Sequence, residues 1–163
     1  MILDLREVFS SKTKAVDIDT TVDMSDYDVY GVQPIALPVS VKGDVKNSAD
    51  VVTLNVTVEF IYSAPCDRCA TETQKQLGMS FSHVLVSSLA GDDEEEFIVV
   101  ENMELDLDDV VKTDIILNLP TKFLCSEDCK GVCPGCGRSL NTDECVCEKE
   151  VDPRLAKLKE LLK

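Results

Sequence analysis

The chain has 163 residues and carries 16 basic and 31 acidic side chains, a net charge of −15, with eight cysteines and one histidine. A chain of this length can bury a core without metals or disulfides, so the cysteines need a local explanation. No apolar run approaches the roughly 20 residues of a membrane span, and the opening MILDLREVFSSKTKAVDIDT lacks a basic stretch leading into an apolar one. The expectation is a cytoplasmic protein with reduced thiols, where metal ligation or redox chemistry outranks disulfide stapling.

Residues 2–9 and 15–22 can each form a strand, and DMSDYDVYGVQ reads as a connection. From 35 to 88, apolar and β-branched residues alternate with polar ones between turn signals, which predicts antiparallel sheet. IALPVSVKGDVKN reads as one long strand or as a hairpin broken near Lys42-Gly43-Asp44. DVVTLNVTVEFIYS is the clearest strand, with Val52, Leu54, Val56, Val58 and Phe60 on one face and Thr53, Asn55, Thr57 and Glu59 on the other. QLGMSFSHVLVSS alternates likewise and groups Leu77, Met79, Phe81 and His83. Between these two strands lies APCDRCAT, so Cys66 and Cys69 are expected at a turn.

Residues 92–114 hold 11 acids against one base, ten of the fifteen excess negative charges. The run begins with Asp92, Asp93, Glu94, Glu95 and Glu96, and FIVV after it is a short strand candidate. ELDLDDVVKTDIILNLP then changes period: Leu107, Val110, Val111, Ile115 and Asn118 fall on one stripe, which predicts a helix over 106–118. Asp106 is placed to cap it, Asp108 and Asp109 suit its first turn, and Pro120 ends it. Past Cys147, Asp152 and Pro153 start a short C-terminal helix with Leu155, Leu158, Leu161 and Leu162 along one face, docked on the parent domain or folding on a partner.

The expected fold is therefore α+β. A mostly antiparallel β-sheet or partial barrel over 1–121, with one packed amphipathic helix, precedes a small Cys-rich zinc-binding segment over 122–150 and a short C-terminal helix over 151–163.

CSEDCKGVCPGCGRSLNTDECVC holds six cysteines in its 23 residues. In CPGCG, Pro134 and Gly135 suit the knuckle that turns two thiolates onto one ion, and Gly137 suits a positive φ that directs backbone N–H groups at sulfur. Cys145 and Cys147 supply a second pair, two apart as neighbours on one strand face. Cys125 and Cys129 remain, and Cys66 with Cys69 completes them. The spacing predicts one site of Cys66, Cys69, Cys125 and Cys129 and another of Cys133, Cys136, Cys145 and Cys147. Two zinc ions suit these sets, while an iron–sulfur cluster uses the same four thiolates. A redox role for Cys66-Asp67-Arg68-Cys69 would need a CxxC opening a helix, whereas this one follows a strand. His83 has no partner in the sequence that identifies a catalytic dyad, and no phosphate loop or Ser-His-Asp set is evident, so the chain reads as non-enzymatic, with no small-molecule substrate.

CDRC at 66–69, LDLDDVVKTDIILNLP at 105–120, the six-cysteine stretch at 125–147 and DPRLAKL at 152–158 occur in the order found in the YceD-like (DUF177) family of large ribosomal RNA subunit accumulation proteins, which the chain resembles. The resemblance implies a part in producing or assembling the large ribosomal subunit. It also implies two separable metal sites, since some members keep the first cysteine pair while lacking a CPGCG segment.

Charge narrows the role. The acidic concentration argues against a wide cationic RNA footprint and suits a basic ribosomal protein held by Asp92, Asp93, Glu94, Glu95, Glu96, Asp108 and Asp109; a solvated acidic loop is the plainer alternative. A rival is a zinc ribbon touching large-subunit ribosomal RNA through Arg68, Lys130, Arg138 and Arg154, and a third is a thiol redox protein.

Overall fold

In the computed structural model, which describes residues 1–11, 13, 15–29, 31–88, 97–142 and 144–147, the alternating segments become strands. They are β1 (Ile2–Asp4), β2 (Ala15–Val22), β3 (Val39–Ser48), β4 (Val51–Pro65), β5 (Glu72–Val86), β6 (Phe97–Val99) and β7 (Glu104–Asp106), with helices α1 (Arg6–Phe9) and α2 (Leu107–Asn118). Five strands lie in the order β2-β3-β4-β5-β6, and β1 pairs with β7 in a second sheet. Pairing is antiparallel for β1–β7, β2–β3 and β3–β4, and parallel for β5–β6, where Val84 faces Phe97. Across β4 and β5, Thr57 bonds Ser80 at 3.0 Å and Asn55 bonds Ser82 at 2.9 Å, pairs that step in opposite senses as antiparallel strands require.

Of the two expectations for residues 35–47, the strand unbroken at Lys42-Gly43-Asp44 is correct over Val39–Ser48, while Ile35–Pro38 lie outside it. β3 runs straight through Gly43, where a Cβ would collide with the Asn55 carbonyl oxygen of β4. The glycine permits close backbone approach, and the hairpin turn falls later, at Ala49 and Asp50, whose φ angles of 52° and 65° suit the twist of a two-residue connection.

Val52, Leu54, Val56, Val58 and Phe60 of β4 are all buried, as their alternation predicts. Fully burying such a side chain contributes about 1.5–3 kcal/mol. Leu77, Met79, Phe81 and His83 of β5 are half-buried on a common face, and the first three pack on this core.

Residues 2–9 do not form a single strand. Asp4 Oδ1 accepts from the Arg6 backbone N–H at 3.0 Å and turns the chain into α1, which brings Leu5 and Val8 inward at three-residue spacing. In α2 the Asp106 side chain caps the helix by accepting from Asp108 N at 3.1 Å. Its buried face is Leu107, Val111, Asp114 and Ile115, with Val110 packed partly against the core. Asn118 is exposed instead of lying on that stripe, and its side chain donates to the Asp114 carbonyl at 2.9 Å. Asp114 takes the inward place because His83 of β5 meets its carboxylate at 2.8 Å.

The chain divides into two compact units, one of Met1–Ala64 with Thr73–Thr121 and one of Pro65–Glu72 with Lys122–Lys163. The β4–β5 turn therefore belongs to the cysteine-bearing unit. The expected C-terminal helix over 151–163 lies outside the described residues.

Candidate metal centres

The β4–β5 turn makes a knuckle at Cys66-Asp67-Arg68-Cys69. Ala70 N donates to the Cys66 carbonyl at 2.8 Å, Cys66 N donates to the Thr71 carbonyl at 2.9 Å, and Ala70 takes a φ of 55°. Asp67 ties this turn to the segment after α2, donating its N–H to the Phe123 carbonyl at 2.9 Å and accepting from Phe123 N on its carboxylate at 2.6 Å. Cys125 and Cys129 are thereby brought to the knuckle, and the Arg68 guanidinium donates to the Cys129 carbonyl at 2.7 Å.

The sulfurs of Cys66, Cys69, Cys125 and Cys129 all lie within 4.8 Å of one another. Cys66 to Cys129 is 3.8 Å and Cys69 to Cys125 is 3.6 Å. With metal–sulfur bonds of about 2.3 Å, a tetrahedral cage has sulfur–sulfur edges of about 3.8 Å. Disulfide sulfurs stand about 2.0 Å apart, so these are free thiols at cage spacing. Cys66, Cys69 and Cys129 are buried and Leu124 packs against them.

The second group is Cys133, Cys136, Cys145 and Cys147, again within 4.8 Å of one another. Cys133 N donates to the Arg138 carbonyl and Gly137 N to the Cys133 carbonyl, each at 2.8 Å, which closes the CPGCGR turn. Gly137 has the expected positive φ, 72°, but its N–H serves that carbonyl; Gly135 N points at Cys133 Sγ, at 3.4 Å. Cys145 Sγ lies 3.2 Å from Cys133 and 3.6 Å from Cys136. Here only Cys133 is buried, while Cys136 and Cys147 are exposed.

In both cages some thiols are pulled below the ordinary cysteine range and others are pushed above it. Burial is the largest single influence on Cys66 and opposes its ionisation, yet N–H groups of Cys125, Arg68 and Cys69 outweigh it and bring the thiol to about 6. Backbone N–H of Cys136, with the Cys145 thiol and Gly135 N–H, holds Cys133 at about 6. The Asn141 amide does most to lower Cys129. In contrast, hydrogen bonding to Cys129 and Cys69 pushes Cys125 up to about 12, and Cys145 and Cys136 do the same to Cys147. Four adjacent thiols cannot all shed their protons without a cation among them, a charge that a metal ion held by the four sulfurs would supply.

Among the other sequence-predicted residues, Asp109 is exposed on α2 and Asp108 is half-buried, its carboxylate 3.0 Å from the Met1 amine. Lys130, Arg138 and Arg68 are all exposed, and the Arg68 guanidinium also donates to the Cys129 carbonyl. Asp92, Asp93, Glu94, Glu95, Glu96 and Arg154 lie outside the described residues. Sequence reading does not reach Asn141, whose side chain donates to Cys129 Sγ at 3.3 Å, or the Asp67–Phe123 link. An asparagine among loop residues gives no spacing signal, although an aspartate inside a CxxC is a cue for turn bonding.

An α+β chain carrying two four-cysteine cages is, by class, a candidate two-centre metal-binding protein. The family described as Large ribosomal RNA subunit accumulation protein YceD matches residues 54–162, and the chain belongs to that family. Bacillus subtilis YlbN is 27% identical over 162 residues, covering 92% of this chain and 90% of its own length. An uncharacterised Mycobacterium tuberculosis protein is 27% identical over 140 residues, 81% of this chain and 68% of its own. The Arabidopsis thaliana chloroplastic YCED homolog 1 is 24% identical over 174 residues, 88% of this chain, and the chain spans 52% of that protein. No solved structure matches significantly.

Proposed function

We propose that the chain is a non-enzymatic ribosome-biogenesis factor of the cytoplasm. It promotes large-subunit ribosomal RNA accumulation by holding a basic ribosomal protein on an acidic surface, while two zinc ions brace its cysteine-bearing unit. Family membership supports the process, through the family's description. The observation that carries the mechanism is charge: residues 92–114 hold 11 acids and one base, and α2 exposes Asp109 together with Ile116 and Leu117. Clustered acidic side chains attract lysine- and arginine-rich protein and repel phosphate.

Zinc fits the donor sets because thiolates at tetrahedral spacing are its usual structural ligands. When bound, the ion neutralises the thiolates and joins the ends of its loop. The chain's own part is to present the sulfurs at the knuckles, through the bonds of Ala70, Asp67, Arg68 and Gly137.

The test offers the protein purified large-subunit proteins or protein-free large-subunit RNA, at about 0.1 M and about 1 M salt, where the screening length falls from about 10 Å to about 3 Å. Retention of basic proteins at low salt and their release at high salt is expected. Retention of the RNA alone would overturn the reading.

A further inference from the structure

We infer that Asn141 is a positioning residue that couples the two cysteine clusters, so that closing the second strengthens metal retention in the first. The inference rests on reading both clusters as metal sites. Asn141 lies between Cys136 and Cys145 of the second cluster, yet its carboxamide donates from Nδ2 to Cys129 Sγ of the first, at 3.3 Å. The amide orientation is set by Lys130, whose backbone N–H donates to Asn141 Oδ1 at 2.7 Å. With the oxygen held there, the NH₂ group faces sulfur.

The backbone around this contact is held from both sides. Leu140 N donates to the Gly131 carbonyl at 2.8 Å and Val132 pairs with Ser139, making a short hairpin whose turn carries Cys133 and Cys136. Val132 N donates to the Arg68 carbonyl at 3.2 Å, from the knuckle of the first cluster. Gly131 sits between them at φ 79°, where a Cβ would lie 3.0 Å from the Arg68 carbonyl oxygen. Asn141 follows this hairpin directly, and the next anchors along the chain are Cys145 and Cys147.

An ion in the second cluster joins Cys136 to Cys145 and so closes the loop that contains Asn141. Closure reduces the conformations open to that loop and keeps the carboxamide on Cys129. A hydrogen bond to a ligand sulfur orients it and spreads its charge; losing such an outer contact costs about 10–100-fold in metal affinity. Linkage is reciprocal, so an ion in the first cluster also favours closure of the second. Exposure gives the coupling a direction of use. The second cluster, with two exposed thiols, is open to chelators, whereas three of the first cluster's four thiols are buried.

The test uses the full chain loaded with cadmium, whose nuclei in the two clusters are followed as separate resonances, assigned with Cys→Ser variants. Asn141→Asp keeps the oxygen that accepts from Lys130 and loses the donor to sulfur; Asn141→Ala loses both. Each is expected to quicken first-cluster release to a chelator roughly tenfold and to move that cluster's resonance. In a Cys136→Ser/Cys147→Ser background, first-cluster release is already fast and Asn141→Asp adds little. Wild-type release in Asn141→Asp, or an equal effect with and without the second cluster, would overturn the coupling. A wild-type chain that binds no cadmium would overturn the metal reading itself and the inference with it.

Discussion

Cys66 and Cys129 stand 63 positions apart in sequence, and their sulfurs lie 3.8 Å from each other. Neither is in a disulfide, so proximity is maintained by the knuckle bonds and by what the four thiols share. The β4–β5 turn and the segment after α2 are thus parts of one site, and metal removal should act on them together.

Chelation is expected to expose the backbone amides of Cys66, Ala70 and Gly137 to hydrogen exchange, because their bonds belong to the cysteine-bearing unit. Amides of β3 and β4 should keep their protection, since those strands share a separate apolar core. Exchange followed by mass spectrometry, with and without chelator, checks the difference.

Metal loading should release protons in a pH-dependent number. Near neutral pH, Cys125 and Cys147, pushed up to about 12, still carry protons that coordination must displace. As pH falls through about 6, Cys66 and Cys133 also become protonated and must give up protons on loading. Affinity therefore falls with acidification, and its slope steepens below about 6. Calorimetry in buffers of different ionisation enthalpy counts the protons.

The His83–Asp114 contact, 2.8 Å across β5 and α2, is expected to stabilise the first unit. His83→Ala and Asp114→Ala should each cost about 1–3 kcal/mol, the scale of leaving a buried polar partner unsatisfied. The double variant should cost less than their sum, because both changes remove one contact. Thermal or urea denaturation supplies the cycle.

The parts legible in sequence are those whose signal is local. Every second residue of β4 from Val52 to Phe60 is buried, Asp106 precedes a helical stripe, and cysteine pairs two to four positions apart mark the points where a chain can turn two sulfurs inward. Grouping those pairs by spacing gives the same two sets that the structure brings within 4.8 Å. Other features depend on distant partners. β7 is three residues long and exists through pairing with β1, and Asp114 faces inward because His83, 31 positions away, meets it. Gly43 resembles a turn glycine until Asn55 of the neighbouring strand is placed beside it.

Gly43→Ala should accordingly destabilise the sheet, by about 1–3 kcal/mol as overpacking usually does, since the neighbouring atom is backbone and cannot swing aside. Gly78→Ala provides the comparison: its added Cβ would meet only the Val58 carbonyl oxygen, at 3.8 Å. Denaturant midpoints of the two variants should separate clearly.

The acidic-surface mechanism predicts that Glu94→Lys with Glu95→Lys and Asp109→Lys weakens binding to basic large-subunit proteins at low salt, chiefly by slowing association. Metal content should remain that of the parent chain. Surface binding kinetics at two salt concentrations provide the measurement.

The most direct measurement of the two-centre account is the metal count of the intact chain by native mass spectrometry. Two zinc ions per wild-type chain are predicted, with Cys133→Ser/Cys136→Ser retaining the ion of Cys66, Cys69, Cys125 and Cys129. A wild-type chain carrying one ion or none would contradict it.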